Sequence, residues 1–335
     1  MSDAPSTSLA DAGALRGQRV LVTGATGLVG QTLTRALVAA GAHVLALVRE
    51  GSSGLVLNAA PPSSSAGTVE RVVVPSYQPG QVRDALRGVR AELVFHLGAY
   101  GVKPTEQDPL ALVEGNVGVT VALLEALAAA PPRRFLFAGS SAQYAPRSSP
   151  TLLVEDSLQA PTSLYGACKA AAEDVGRVLA ARHGIPFVSM RLFGVYGPGE
   201  SPHRMIPYLA RALSRGAPPE LTPGGQARDW IYVDDVAEAL VLAAAAPRLA
   251  RAWNVCSGHG TTVREVALAV GAALGKDEAA LGLGRRDYRP DEPMWIVGSP
   301  ALLQADSGFR ARTPLVEGVR RTVAWAVDAA AGGSP

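Results

Sequence analysis

The chain has 335 residues, of which 48% are hydrophobic and 18% charged, and its formal net charge is +2. This length is enough for one large α/β unit with a sizeable core. The nearly balanced charge, with lysine and arginine spread along the chain, argues against a nucleic-acid partner. The two cysteines, Cys168 and Cys256, are far apart and have no metal-ligand spacing, so we expect neither a disulfide framework nor a metal site.

Residues 1–17 are polar and are predicted to be flexible, and they lack the basic start and apolar segment of a signal peptide. We find no stretch of about eighteen apolar residues free of charge, glycine and proline, so we expect no membrane span. These features together predict a cytoplasmic protein.

From residue 18 onward, short apolar runs alternate with longer helical patterns. The runs predicted to be strands are 19–24, 43–48, 69–74, 91–97, 134–140 and 186–197. The patterns predicted to be helices are 28–40, 110–130 and 163–184. This alternation predicts an α/β fold with a Rossmann-like, doubly wound parallel sheet. Residues 51–68 are rich in glycine, serine and proline and are predicted to form a flexible loop.

The pattern changes after residue 195, where proline and glycine become frequent and the predicted elements become short. We therefore predict a dinucleotide-binding domain over 18–195 and a smaller C-terminal lobe for the substrate over 196–330. The segment 234–257 is expected to return to the first domain.

The first predicted strand runs into "LVTGATGLVG", which places three glycines at the start of a helix. Gly24 permits a tight turn, Gly27 lets the backbone approach a pyrophosphate, and Gly30 lets the helix pack on the strand. N–H groups at the helix N-terminus then face the phosphates of a dinucleotide. Further residues predicted to line this cofactor site are Thr26, Leu28, Val29, Leu97, Gly98 and Ala99.

The second predicted strand ends in "LVREGSS", with no carboxylate at its tip to bind a ribose 2′-hydroxyl. Arg49 instead suits a 2′-phosphate, which favours NADP over NAD. In the other interpretation, Arg49 is a solvated loop residue and Glu50 contacts the ribose of NAD. We therefore expect NADP as the cofactor, with NAD as the alternative.

The segment "SLYGACKAAAE" places Tyr165 and Lys169 four residues apart, and therefore on one face of a predicted helix. An ammonium beside a phenol lowers the pKa of the phenol from about 10. The tyrosine can then exchange a proton with a sugar hydroxyl or carbonyl near neutral pH. Upstream, the fifth predicted strand ends in "FAGSSAQYA", which offers a hydroxyl to the same oxygen.

The motifs "TGATGLVG", "FAGSSAQYA" and "LYGACK", in that order, resemble the extended short-chain dehydrogenase/reductases of the nucleotide-sugar epimerase/dehydratase group. The resemblance spans residues 18–325 and includes "RLFGVYGPGE" and "RDWIYVDDVAEAL". It implies that Tyr165 is the acid/base and that Lys169 is its partner and a ligand of the nicotinamide ribose. It also implies a catalytic serine four residues before Tyr144, which selects Ser140.

The resemblance further implies that the substrate is a nucleotide-diphosphate sugar. The residues assigned to the substrate are Ser141, Asn116, Arg204, Arg228 and Arg289. Asn116 matches an asparagine that steadies the long helix and a water in the family, although fixing a helix irregularity is an equally good interpretation. For His203 a surface role is at least as good an interpretation, and His96 is interpreted as a packed core residue.

Departures from the family pattern restrict the set of reactions that we expect of this protein. Ser141 and Ala142 stand where dehydratases carry an Asp-Glu pair, which disfavours a 4,6-dehydratase. Gly194 replaces a phosphate-contacting asparagine, and "VVVPSYQP" lacks the aspartate usual near adenine. The first prediction is NADPH-dependent reduction of a nucleotide 4-keto sugar, and a 4-epimerase with tightly bound NAD is the alternative. A reductase of small non-sugar carbonyls and a non-catalytic dinucleotide-binding regulator are weaker alternatives.

The alanine-rich predicted helices 110–130 and 163–184 bear on the oligomeric state. The resemblance implies that such a pair forms a four-helix interface in a homodimer. Ordinary packing within one chain is the other interpretation.

Overall fold

A computed structural model describes residues 15–52, 67–103, 105–147, 150–217, 219–290 and 292–330. The strands in these residues are β1 (Arg19–Thr23), β2 (His43–Arg49), β3 (Thr68–Val74), β4 (Leu93–His96), β5 (Arg134–Ser140), β6 (Phe187–Leu192), β7 (Gly194–Tyr196), β8 (Ala227–Tyr232), β9 (Ala252–Val255), β10 (Gly260–Thr262) and β11 (Trp295–Ile296). The α-helices are α1 (Leu28–Ala39), α2 (Pro79–Ala85), α3 (Pro109–Val113), α4 (Val119–Leu127), α5 (Leu164–Arg182), α6 (Met205–Ser214), α7 (Val233–Ala245), α8 (Val263–Ala273), α9 (Ala301–Ser307) and α10 (Leu315–Ala330).

Seven of the strands form one parallel sheet in the order β3-β2-β1-β4-β5-β6-β9. β1 pairs with β2 on one side and with β4 on the other, so the direction of winding reverses next to β1. In open α/β sheets, ligands bind outside the carboxyl ends of the strands at such a switch point. The predicted Rossmann-like, doubly wound sheet is confirmed, and the end of β1 is the place to look for a site.

Helices cover both faces of this sheet. On one face, Leu33 of α1 and Leu240 of α7 pack in a cluster with Val20 of β1. On the other face, Leu123 of α4 and Ala172 of α5 belong to a second buried cluster. Because both faces are covered, most residues of a central strand are buried and apolar. The strands could therefore be recognised in the sequence as continuous apolar runs.

The strands β7, β8, β10 and β11 form a second, smaller sheet, and the cluster beside it is built by α6, α8 and α10. The predicted strand 186–197 is in fact two strands, β6 in the large sheet and β7 in the small one, with Phe193 alone between them. The chain thus crosses between the lobes slightly before residue 195. Within 234–257, α7 packs on the large sheet and β9 is its last strand. Further along the chain, α9 also packs there, and its Leu303 is fully buried in the large core.

The predicted helix 110–130 is interrupted. A π-helical turn over Glu114–Gly118 separates α3 from α4, and α4 ends at Leu127. Among the described residues, one helical stretch, Pro109–Leu127, is long and apolar enough by composition to cross a membrane. A core helix passes the same test: in this stretch Leu112 is buried, and Leu123 packs in the cluster on one face of the large sheet.

The predicted flexible segments are described only at their edges. Residues 1–14 and 53–66 lie outside the described residues, so the expected mobility of 51–68 stays a prediction. Leu15 is 1% exposed in the large core, and the N–H of Gly17 donates to the carbonyl of Gly41. These contacts speak against the predicted flexibility of residues 15–17, the part of 1–17 that the structure describes.

Candidate active site

The glycine turn after β1 forms a cradle at the N-terminus of α1. A Cβ on Gly24 would lie 2.7 Å from the amide nitrogen of Gly98, and one on Gly30 would lie 2.0 Å from the carbonyl oxygen of Gly24. Gly27 is exposed, and a Cβ there would meet only the Gly24 carbonyl at 3.3 Å. Gly24 and Gly30 are therefore needed for packing, whereas Gly27 leaves room for a ligand.

The first turn of α1 offers unpaired donors to this cradle. Its N-cap is Gly27, no described side chain caps it, and it contains no acidic residue. The N–H groups that open a helix lack partners within it and favour an anion. Leu28 and Val29 begin the helix, while the carbonyl of Thr26 accepts from Gln31 and fixes the turn. These residues fit a dinucleotide pyrophosphate.

The end of β4 lies beside the same turn. The N–H of Gly98 donates to the hydroxyl of Thr23 at 3.0 Å, and that of Leu97 donates to the carbonyl of Thr23. Leu97, Gly98 and the following Ala99 thus lie next to Gly24, as the sequence predicted for the cofactor site.

At the end of β2, Val48 is buried and Arg49 and Glu50 are exposed. Tyr77, which the sequence did not single out, lies between this end and the glycine turn. Its hydroxyl donates to the carbonyl of Leu47 at 2.5 Å and accepts from the N–H of Gly24 at 3.4 Å. The phenol therefore stands at the adenosine end of the cradle, close to where "VVVPSYQP" lacks an aspartate. Because an aromatic residue stands in this segment and the usual aspartate is absent, sequence reasoning had no motif to detect here.

The proposed acid/base and hydroxyl groups meet at the end of β5. Ser140 ends the strand, and its hydroxyl accepts from the N–H of Ala142 at 3.2 Å. Tyr165 lies in the first turn of α5, which Ser163 caps by accepting from the N–H of Gly166. Burial raises the pKa of Tyr165, whereas a side-chain hydrogen bond with Ser140 lowers it. The structure thus brings these two predicted residues together.

Lys169 is buried beside the aromatic ring of Phe137. It is 1% exposed, and its Nζ lies 4.3 Å from the centre of the Phe137 ring. Burial lowers the pKa of Lys169 to about 7, against the attraction of Glu173. The cation whose charge lowers the pKa of Tyr165 is Arg204. The expected role of Lys169 towards the phenol stays a prediction.

His96 is a core residue, as expected. It is fully buried, and its ring nitrogens lie 2.7 Å from the Thr23 hydroxyl and 3.0 Å from the Thr120 hydroxyl. Burial, together with the charge of Lys169, lowers the pKa of His96 to about 3. The imidazole is therefore neutral and joins β1, β4 and α4.

The arginines assigned to the substrate are held by carboxylates. Arg228 and Arg289 both pair with Glu292, at 2.8 Å and 3.0 Å. Arg289 and Glu292 line a cavity of about 310 Å³ in the smaller lobe. The two arginines thus converge on one point, but the sequence did not identify the carboxylate between them.

Arg204 forms a separate pair, its Nε lying 3.2 Å from Oε1 of Glu200. Glu200 is 4% exposed, and burial raises its pKa to about 7. Its Oε2 has no hydrogen-bond partner among the described residues. The neighbouring His203 is exposed.

Asn116 holds backbone and does not face a ligand. It is 1% exposed, and its amide nitrogen donates to the carbonyls of Leu112 and Tyr100, at 2.8 Å and 3.0 Å. The geometry agrees with the second interpretation, in which Asn116 fixes a helix irregularity, rather than with its assignment to the substrate. Ser141, also assigned to the substrate, is half-buried in the short turn after Ser140.

Both cysteines are free and buried. Within the part of the chain that the structure describes, no group of three potential metal ligands occurs.

Comparisons with known proteins agree with this arrangement. A family model described as the NAD dependent epimerase/dehydratase family matches residues 20–256. A UDP-glucose 4-epimerase of Mycolicibacterium smegmatis is 30% identical over 324 residues, which cover 91% of this chain and 97% of that protein. A dTDP-6-deoxy-L-talose 4-dehydrogenase (NAD(P)(+)) of Kitasatospora kifunensis is 28% identical over 312 residues, which cover 90% and 93%.

Among solved structures, a Thermus thermophilus UDP-glucose 4-epimerase in complex with NAD is 31% identical and matches with a TM-score of 0.77. The match covers 93% of this chain and 99% of that one. With a family model over more than half of the chain, the chain belongs to the NAD-dependent epimerase/dehydratase family of nucleotide-sugar enzymes, as its motifs implied.

Proposed function

We propose that this enzyme reduces the 4-keto group of a nucleotide-activated sugar with NADPH. The observation that carries the proposal is the end of β2, where Val48 is buried and Arg49 is exposed. A guanidinium there favours a cofactor with a 2′-phosphate, and the strand tip itself carries no carboxylate for the 2′-hydroxyl of NAD, the nearest being Glu50 one residue later. A cofactor of this kind exchanges between turnovers, which suits a reductase.

Tyr165 and Ser140 are the two residues that act on the C4 oxygen of the sugar. A reduced nicotinamide dinucleotide, when bound at the glycine turn, supplies the hydride. Tyr165 donates its phenolic proton to the C4 oxygen, and the Ser140 hydroxyl donates a hydrogen bond to the same oxygen. The positive charge of Arg204 then stabilises the phenolate that remains. Lys169 would hold the ribose next to the nicotinamide.

Recognition of the nucleotide diphosphate is assigned to Arg228 and Arg289. Both lie in the smaller lobe, and a guanidinium binds phosphate oxygens in a bidentate manner. A small non-sugar carbonyl would make no use of two convergent arginines. Ser141 and Ala142, which replace an Asp-Glu pair, leave no acid and base for removing water from the sugar.

Tyr165→Phe tests the chemistry. We expect kcat for a nucleotide 4-keto sugar to fall by about 10²–10⁴-fold, because the proton donor is lost. The dissociation constant for NADPH, measured by fluorescence, should change little. Tyr208→Phe, at an exposed position of α6, is the matched control. Undiminished turnover in Tyr165→Phe would overturn the proposed mechanism.

Arg49→Ser tests the cofactor. We expect NADPH to bind about tenfold more weakly while NADH binding stays the same, because one charge-assisted contact is lost. Arg87→Ser, which removes an exposed arginine of a surface ion pair, is the control. Equal losses for both cofactors would argue against a 2′-phosphate site.

A 4-epimerase with tightly bound NAD is the second candidate. It is favoured by the two relatives at 30% and 31% identity, both UDP-glucose 4-epimerases, one of them solved with NAD. An epimerase must keep its cofactor through the cycle, so NAD should be released in stoichiometric amount when the purified protein is denatured. A protein that releases no dinucleotide and consumes NADPH with a 4-keto sugar would exclude this candidate.

We also propose a homodimer. Apolar side chains on α3 and α5 are exposed in the single chain, namely Leu110 (75%), Val113 (48%), Val175 (41%) and Val178 (49%). A second copy of the same two helices would cover them. Val178→Glu should give a monomer in light scattering, whereas Val316→Glu on α10 should not. A wild-type monomer at micromolar concentration would refute this.

A further inference from the structure

A buried network of polar side chains lies behind the strand end that carries Ser140. At its centre is the carboxylate of Glu173, which is 1% exposed. It accepts from Arg191 Nε at 3.1 Å and Nη2 at 2.5 Å, from the Ser189 hydroxyl at 2.6 Å, and from Gln143 Nε2 at 2.8 Å. The network is fully enclosed, and the reaction as described so far makes no use of it.

One arm of the network reaches the backbone of Ser140. Oε1 of Gln143 accepts from the Ser140 N–H at 2.7 Å, and the Gln143 side chain is fully buried. Because Nε2 of Gln143 is bound to Glu173, the amide is held in the orientation that presents its oxygen to Ser140. Gly139 keeps the strand close, since a Cβ there would lie 2.8 Å from the same Oε1.

The other arm reaches Lys169 through charge. Glu173 follows Lys169 by four residues on α5, so both side chains lie on one helix face. The buried ammonium is disfavoured by its surroundings, and Glu173 is the group that opposes this. The other groups beside it are His96, which is neutral, and the aromatic ring of Phe137. Without the carboxylate, Lys169 would lose its proton more readily.

We propose that Glu173 is a positioning residue for both catalytic groups, fixing the Ser140 backbone through Gln143 and keeping Lys169 in its ammonium form. This inference rests on the proposed function. A purely structural role would require only the ion pair with Arg191. The carboxylate instead takes two further donors, one of which leads directly to the strand end that carries the catalytic hydroxyl.

Glu173→Gln tests the charge arm, with Asp174→Asn as the matched control. Asp174 is the next residue on the helix, but it is exposed and pairs with Arg177 and Arg251 at the surface. The readout is the NADPH dissociation constant from pH 6 to 9, measured by fluorescence. The wild-type dissociation constant should rise with pH above the pKa of Lys169, and we call this rise the limb of Lys169. In Glu173→Gln the limb should move to lower pH by about one unit or more.

Glu200 titrates in the same range, but it is unchanged in every variant, so only the limb of Lys169 is expected to move. A limb that stays in place in Glu173→Gln, or moves equally in Asp174→Asn, would overturn the charge arm. If Glu173→Gln does not fold, the double variant E173Q/R191M takes its place, because it leaves no unpaired buried charge.

Gln143→Leu tests the hydrogen-bond arm while leaving the ion pair intact. We expect kcat to fall by about tenfold with the NADPH dissociation constant and its pH limb unchanged, because only the Ser140 end is released. A kcat within twofold of wild type would overturn this arm. The NADPH measurements need no sugar substrate. A wild type that binds NADPH but turns over no nucleotide sugar would therefore refute the proposed function, while the Glu173→Gln titrations would still decide the charge arm.

Discussion

The cofactor end and the substrate end of the site are built in different ways. At the cofactor end, Gly24 and Gly30 are required because backbone atoms of neighbouring segments lie where their side chains would be. At the substrate end, Arg204, Arg228 and Arg289 are long side chains that pair with carboxylates. A site made of backbone leaves a fixed spacing in the sequence, whereas a site made of charged side chains depends on partners that the sequence does not reveal.

Gly30→Ala should have the largest effect on stability. The new methyl would lie 2.0 Å from the Gly24 carbonyl oxygen, so α1 must move, at an expected cost of about 3 kcal/mol. Gly27→Ala, whose nearest contact is at 3.3 Å, should fold normally and mainly weaken cofactor binding. Urea denaturation and NADPH titration of both variants check this. Equal destabilisation would mean that the cradle is not shaped as described.

Lys169→Met should stabilise the protein and abolish turnover. The pKa of Lys169 is about 7 in the fold against 10.5 ordinarily, so the folded state binds fewer protons between these values. Wild-type stability should therefore rise with pH from about 7 to 10, and the variant should lack this slope. At pH 7 we expect a gain of about 1–2 kcal/mol.

The control for this prediction is Lys276→Met, which removes an exposed lysine. A Lys169→Met protein less stable than wild type at pH 7 would show that the ammonium is well solvated.

Glu292→Gln probes the substrate end. Arg228 and Arg289 lose their shared partner, so a nucleoside diphosphate should bind severalfold more tightly at low salt and with a steeper salt dependence. Calorimetric titration at two salt concentrations measures this. Weaker binding would instead mean that the carboxylate holds the two arginines in place for the ligand.

Glu200→Gln should have the smallest effect, and one that depends on pH. The pKa of Glu200 is raised from 4.5 to about 7, so the folded state binds more protons between these values and wild-type stability falls as pH rises through them. The variant should gain about 1 kcal/mol at pH 8 and nothing near pH 4.5. Thermal melts of wild type and variant at both pH values measure this difference in stability. A gain of equal size at each pH would contradict the raised pKa of Glu200.

Much of the fold and part of the site were predictable from the sequence. The sheet was recognisable because its strands are buried on both faces, and the glycine turn because its spacing reflects backbone contacts. Tyr165 was singled out by its spacing from Lys169 and Ser140 by the family resemblance, and the structure places the two side chains together at the end of β5. Family membership followed from the order of these motifs.

The remainder depended on side-chain partners. The sequence showed that Lys169 shares a helix face with Tyr165, but not that its ammonium lies over Phe137. For Asn116 the sequence left two interpretations open, and only the structure shows that its buried amide supports a π-helical turn. Glu173 read as one more charged residue on a helix, since its partners on β6 and in the turn after β5 are distant in sequence.

The direct passage from β6 to β7 has a consequence for substrate entry. Phe193, the one residue between the two strands, is 6% exposed, and a Cβ on Gly298 would lie 2.5 Å from its ring. The return from β8 to α7 at Tyr232 and Val233 is equally short. Hinge bending needs a few residues whose backbone angles are free to change, and neither passage supplies them. We therefore expect these two passages to be rigid, so that any change in the distance between the lobes must come from the other segments that join them.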